Sequence, residues 1–144
     1  MSERQYTHTT KGCYGCGDEN EQGLRLKPWL EGDGLCAEFT PQAFHRGFSK
    51  VVHGGVIAAV LDEVITSAVA VASNALLATV SLHVDFKAPM LVAGEYTVRA
   101  RRVADEGNVR AGEGEIVDGR GTIIARGRGK FVPLGGELAK KFLG

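Results

Sequence analysis

Apolar and polar positions alternate in short runs over most of the chain, and one long apolar stretch near the middle breaks the pattern. Leu24, Leu26 and Trp29, then Leu35, Ala37 and Phe39, alternate on either side of Glu31-Gly32-Asp33-Gly34. Two such runs around a Gly-rich link predict a β-hairpin, the first two strands. After a loop over residues 41–52, His53-Gly54-Gly55 opens about twenty residues of mostly Ala, Val, Ile and Leu, and no further Gly or Pro follows before Ser73-Asn74. This predicts one long helix, and a helix apolar nearly all round has to be covered on nearly all sides. Residues 76–86, 95–104, 109–117 and 122–132 return to strand-like patterns. They are punctuated by Lys87-Ala88-Pro89, Asp105-Glu106-Gly107-Asn108 and Asp118-Gly119-Arg120-Gly121 and predict four more strands. In the clearest of them Val80, Leu82, Val84 and Phe86 share one face, and Thr79, Ser81, His83 and Asp85 the other.

Two strands, one buried helix and four strands on short connections pack most economically as a curved antiparallel sheet wrapped around one long central helix, an α+β fold. The 144 residues fit a single domain. Residues 1–23 show no period, so 1–12 read as a flexible tail and the rest as a turn-rich loop.

Charge then limits the partners. Seventeen basic residues balance seventeen acidic ones, so no overall field favours nucleic acid or an anionic membrane surface, and neither is expected as a partner. Residues 56–72 fall short of the ~20 apolar residues that span a bilayer, and they carry Asp62 and Glu63 midway, so the stretch reads as a buried helix. Residues 1–11 lack the apolar core of a secretory signal. An odd cysteine count, three, suits a reducing compartment, so the expected location is the cytoplasm. Cys36, inside an alternation, reads as core filler.

The candidate chemistry centres on His53-Gly54-Gly55. Glycines at a helix start leave backbone N–H groups unobstructed, and first-turn N–H groups are unpaired at the positive end of the helix dipole. The pair Gly54-Gly55 therefore reads equally as an oxyanion site for a reacting carbonyl and as a tight entry into the helix. His53 is expected to orient this loop by hydrogen bonding, with general-base work as the alternative. Asp62 and Glu63 are carboxylates among apolar neighbours, a costly placement unless something uses it. They point about 100° apart on a helix, so one can face a site while the other is structural. Thr66 shares a helical face with Asp62 and could position a water, or could bond back to a helix carbonyl. Asp62 lies about 12 Å beyond Gly54 along the axis, too far for both to act on one carbonyl. A two-fold dimer with antiparallel helices resolves this by bringing Gly54 of one protomer to Asp62 of the other.

Elsewhere the signals are weaker. Arg126, Arg128 and Lys130 alternate on one strand face and could meet the phosphates of an anionic ligand, or form a solvated face. Lys87, Arg46 and Lys50 are further cations. Cys13-Tyr14-Gly15-Cys16-Gly17 has a C-x-x-C spacing, but a closed zinc site usually takes four ligands. No second pair of ligands is present, though His8, His45 and Cys36 exist, and no metal is expected. His45 and His83 read as a loop and a strand histidine.

These residues together resemble the hotdog-fold acyl-CoA thioesterases, in the branch related to phenylacetate-pathway and 4-hydroxybenzoyl-CoA thioesterases. The resemblance rests on Gly15-Cys16-Gly17 with Asn20 and Gly23-Leu24, on His53-Gly54-Gly55 followed nine residues after the His by Asp62, and on residues 79–86 ending in Lys87-Ala88-Pro89. It implies that the Gly54 N–H polarises the thioester carbonyl and that Asp62 of the facing protomer acts as nucleophile or general base. Thr66 matches a water-positioning threonine in part of the family, and Thr79 a site threonine in another part. It implies no metal or organic cofactor, with coenzyme A entering as part of the substrate, and homodimers that often pair into tetramers. Gly47 departs from a polar residue in the hydroxybenzoyl branch, which leaves the acyl group open. The competing readings are a hydratase or dehydratase on the same fold and a protein that binds or senses acyl-CoA without turnover.

Overall fold

The computed structural model describes residues 3–7 and 10–143; His8 lies outside them. The hairpin forms between β1 (Trp29–Glu31) and β2 (Gly34–Phe39), with Glu31 paired to Gly34. Only Gly32 and Asp33 make the turn, and Gly32 takes φ 61°, a left-handed value that costs a residue without Cβ nothing. The first strand is shorter than the expected run from Leu24. Pro28 has no N–H for a ladder, and the N–H groups of Leu24 and Leu26 instead bond the carbonyls of Tyr14 and Gly15. Both leucines are still core residues.

A 3-10 turn, Ala43–His45, leads to the helix α1 (Gly54–Ser73). It stops at Asn74, whose left-handed backbone turns its N–H onto the last carbonyls. β3 (Leu77–Phe86), β4 (Tyr96–Glu106), β5 (Val109–Asp118) and β6 (Ile123–Pro133) follow, and the chain closes with α2 (Gly136–Leu143), which the hydrophobic pattern did not announce. The six strands form one antiparallel sheet in the order β1-β2-β4-β5-β6-β3. α1 lies against β2 to β6.

The buried residues of α1 are Ile57, Val60, Leu61, Val64, Ile65, Ala68 and Val69, a three-and-four spacing that makes a single stripe facing the sheet. α1 is long and apolar enough in composition to cross a membrane. That stripe, with Asp62 and Glu63 at mid-length, makes it instead the core helix of a folded α+β domain. The sheet meets the helix closely because three of its inward positions are glycine. A Cβ at Gly112 would lie 2.5 Å from Val69 Cγ2 and 2.9 Å from Ile65 Cγ2, and Cβ atoms at Gly114 and Gly127 would press on Ile65 and Leu61. Within one chain the sheet covers only this side. Asp62, Glu63, Thr66 and Ser67 are half-buried and Val71 is exposed. The edge strand β3 also presents Val80 and Phe86 to solvent.

β3 departs from regular alternation at one point. Thr79 pairs with Phe131 and Ser81 with Lys130, so Val80 is an extra residue, a β-bulge. Beyond it Ser81, His83 and Asp85 point outward as the alternation predicts. Before it Thr79 is flipped to the inner face, opposite to the expected placement, because one extra residue reverses the parity of a strand.

His45 anchors the loop that leads into α1. It is buried between Phe39 and Phe44, its Nδ1 accepts the Gln42 N–H at 2.9 Å, and its carbonyl accepts the His53 N–H. Burial lowers its pKa from the ordinary 6.5, so the unfolded chain binds the proton more readily than the folded one. Its contribution to stability is whole above 6.5 and is lost as the pH falls through 6.5 toward the folded-state value. Thermal midpoints measured from about pH 7.5 to about pH 5.5 should therefore drop more in the wild type than in His45→Asn, which keeps an acceptor but cannot titrate.

Candidate active site

Asp62 sits at mid-helix on the side of α1 turned away from the core stripe. The Thr79 hydroxyl donates to Asp62 Oδ1 at 2.8 Å, and the Thr66 hydroxyl, one helical turn beyond Asp62, lies 3.5 Å from that of Thr79. Asp62 and Thr66, which share a helical face in the sequence, are joined by Thr79 into one polar cluster, and the bulge at Val80 is what brings Thr79 to it. Asp62 Oδ2 has no hydrogen-bond partner among the described residues, which leaves one carboxylate oxygen for a water or a carbonyl carbon.

The helix start is a second locus. His53 is the N-cap, and its Nδ1 accepts the Gly55 N–H at 2.8 Å, so a neutral imidazole carries its proton on Nε2. The Gly55 amide is therefore engaged. Gly54 is exposed and its N–H meets no acceptor among the described residues, and the Phe86 ring stands about where a Cβ on Gly54 would touch it, 3.6 Å away. Of the two glycines, Gly54 holds the free donor at the positive end of the helix.

Glu63, one residue on, points elsewhere. It packs against Gly15, where any Cβ would overlap its carboxylate, and burial raises its pKa, partly offset by a hydrogen bond with the Cys16 thiol, while the nearby charge of Asp62 acts in the same direction as burial. Burial likewise pushes the Cys16 thiol up to about 12. Asp62 and Glu63 thus divide as a carboxylate facing open space and a carboxylate facing the N-terminal loop.

The basic row stands apart from both loci. Arg126, Arg128 and Lys130 alternate with the buried Ala125 and Phe131, so they occupy the outer face, with the sheet between them and Asp62. Arg126 faces Glu115 at 3.6 Å and Lys130 faces Glu106 at 3.3 Å. Arg128 lies in register with His83 and Glu113. The outer trough here, about 760 Å³, mixes Asp33, Asp85, Glu113 and Glu115 with Arg99, Arg101, Arg126 and Arg128, and is no cationic cradle. Lys87, exposed directly after Phe86, is the cation nearest in sequence to the ring beside Gly54. Phe86 itself was expected only as an apolar strand position. Its place beside Gly54 could have been suspected from the strand ending just before Lys87-Ala88-Pro89.

Compared with known proteins, residues 49–125 match the family model of the thioesterase superfamily, a span that runs from the loop before α1 into β6 and exceeds half of the chain. The chain belongs to this superfamily. Its sheet and helix are the family's hotdog fold, as solved structures also show. One thioesterase superfamily protein superimposes with a TM-score of 0.78 at 23% identity over 85% of this chain, which spans 63% of that protein's length. The Escherichia coli PaaI protein, from the phenylacetic acid degradation operon, gives 0.69 at 20% identity over 78% of this chain and 82% of its own. The smu.793 protein of Streptococcus mutans, solved with acetyl CoA bound, gives 0.67 at 12% identity over 74% and 85%. No curated protein matches the sequence.

Proposed function

We propose that the protein is an acyl-CoA thioesterase that hydrolyses the thioester of a small or medium acyl-CoA at sites shared by two protomers. The observation that carries this is the Asp62–Thr79–Thr66 cluster, a carboxylate with one oxygen held and one free, on a half-buried flank of the helix that Thr79 reaches from the edge strand β3. Superfamily membership supports the thioester chemistry, and a fold relative with acetyl CoA bound supports coenzyme A as the carrier.

In this reading the thioester carbonyl oxygen accepts the Gly54 N–H of one protomer, and Asp62 of the other attacks the carbonyl carbon or takes a proton from a water that does. The developing oxyanion gains from a fixed donor at a helix N-terminus, an effect worth about 3 kcal/mol per donor. The tetrahedral species collapses, the C–S bond breaks, and the coenzyme A thiolate leaves and is protonated; where Asp62 is itself the nucleophile this step leaves a mixed anhydride on its carboxylate, which a water then hydrolyses to release the acid and restore Asp62. Thr79 fixes the Asp62 rotamer and Thr66 holds the water. The dimer follows from the roughly 12 Å between Gly54 and Asp62 along one helix and from the exposed apolar side chains of the edge strand β3. A dimer of dimers is a further step in the same reading. Neither a metal nor an organic cofactor takes part in these steps.

The test is thiol release from a panel of short, long and aromatic acyl-CoAs, with sedimentation to read the oligomer. Hydrolysis of at least one member by a dimer or larger species is expected, and Thr79→Val should lower kcat about tenfold or more by freeing the carboxylate to turn. Tight binding without thiol release would replace this reading with that of an acyl-CoA sensor.

A further inference from the structure

In sequence the C-x-x-C loop has no second pair of ligands to make it a closed metal site. The fold supplies the missing donor from α1. Cys13 Sγ, Cys16 Sγ and a Glu63 carboxylate oxygen all lie within 4.8 Å of one another. Zn–S bonds of about 2.3 Å and Zn–O bonds of about 2.0–2.2 Å place tetrahedral ligands roughly 3.3–3.8 Å apart, so side-chain rotations of about 1 Å bring all three onto one ion.

Independent details of the loop fit the same purpose. The Cys16 N–H points at Cys13 Sγ, 3.5 Å away, the orientation that stabilises a thiolate. The Gly17 N–H closes the turn on the Cys13 carbonyl, and a Cβ at Gly17 would overlap the backbone of Lys11 and Cys13, so the loop is wound too tightly for any side chain there. Gly15 leaves the space that the Glu63 carboxylate fills. Among the described residues no Lys, Arg or His pairs with Glu63, although it is half-buried. Here a carboxylate has been brought to two thiols, with the Cys16 thiol hydrogen-bonded to it, and to no cation. A disulfide between the cysteines would explain their spacing but not the carboxylate.

We propose that Cys13, Cys16 and Glu63 bind one thiophilic divalent cation of the zinc class, completed by a water, which clamps the N-terminal loop to α1 at the residue next to Asp62. Two sulfurs and one carboxylate favour zinc over magnesium or calcium, which take oxygen donors. Binding releases the two thiol protons to solvent. The clamp is structural and does not depend on the thioesterase reading, because Glu63 faces away from the Asp62 cluster.

The full-length protein, reduced and stripped with a chelator, would be titrated first with Co²⁺ and then with Zn²⁺. One equivalent per chain is expected, with a thiolate-to-cobalt charge-transfer band and tetrahedral ligand-field bands that zinc abolishes. Zinc should also raise the thermal midpoint. Cys13→Ser and Cys16→Ser should lose the charge-transfer band, and Glu63→Gln should weaken zinc binding more than about tenfold. Cys36→Ser, away from the cluster, should bind as the wild type does. Circular dichroism of the metal-free variants shows that each is folded before it is read. Failure of the reduced wild type to hold either metal would overturn the proposal, as would binding that Glu63→Gln leaves unchanged. A protein isolated with Cys13 and Cys16 joined, and indifferent to zinc once reduced, would assign the pair to redox chemistry instead.

Discussion

Asp62→Asn should lower acyl-CoA hydrolysis by about 10³-fold or more while fold and oligomer persist. The substitution is isosteric, and the amide oxygen can still accept the Thr79 hydroxyl that now bonds Oδ1 at 2.8 Å, so neither packing nor local geometry gives a reason for loss. What disappears is the basicity and nucleophilicity of the free oxygen. General-base catalysis contributes about 10²- to 10⁴-fold, and a lost nucleophile costs at least as much. A 10³-fold fall corresponds to about 4 kcal/mol of transition-state stabilisation. Measured as kcat on the best substrate of the panel, with sedimentation and circular dichroism alongside, the loss should appear in kcat rather than in KM. Activity within about tenfold of wild type would remove Asp62 from the centre of the mechanism.

Gly112→Val should destabilise the fold by about 3 kcal/mol, a fall of roughly 6–12 °C in the thermal midpoint for a chain of this size. Gly112 sits on β5 where a Cβ alone would stand 2.5 Å from Val69 Cγ2 and 2.9 Å from Ile65 Cγ2. Both neighbours are β-branched and fully buried, so their rotamers are few and neither can swing to solvent. The helix has to lift from the sheet or the strand has to bend. Gly119→Ala is the control, since a Cβ there meets nothing within 4 Å and its midpoint should move little. Equal midpoints for the two variants would mean that the helix and sheet are not in the close contact described.

Much of this architecture is legible in the residues themselves. The alternation of β3 to β6, the apolar run of α1 and the Gly-rich hairpin depend on local periodicity, and they form where that periodicity puts them. The length of β1 was misjudged because burial of Leu24 and Leu26 leaves the same apolar spacing whether the backbone pairs in a ladder or bonds the 13–17 loop. The inward turn of Thr79 was invisible because a bulge depends on which residues the neighbouring strand β6 offers, and no window along β3 contains that information. The same reason hid the approach of Glu63 to Cys13 and Cys16, which belong to segments far apart in sequence. The coverage of α1 was overestimated in one respect. An apolar helix needs partners all round, but a single chain provides only one flank.

The close seat of α1 has a mechanical consequence. At Gly114 and Gly127 the sheet is a partition one backbone thick, with Ile65 resting on its inner surface and the outer trough on the other. Elsewhere a layer of side chains would cushion a push from outside. Here nothing compressible intervenes, because cores are packed like solids. A molecule pressing into the trough would therefore bear directly on the turn of helix that carries Asp62 and Thr66, as a finger on a drumskin moves whatever leans against its far side.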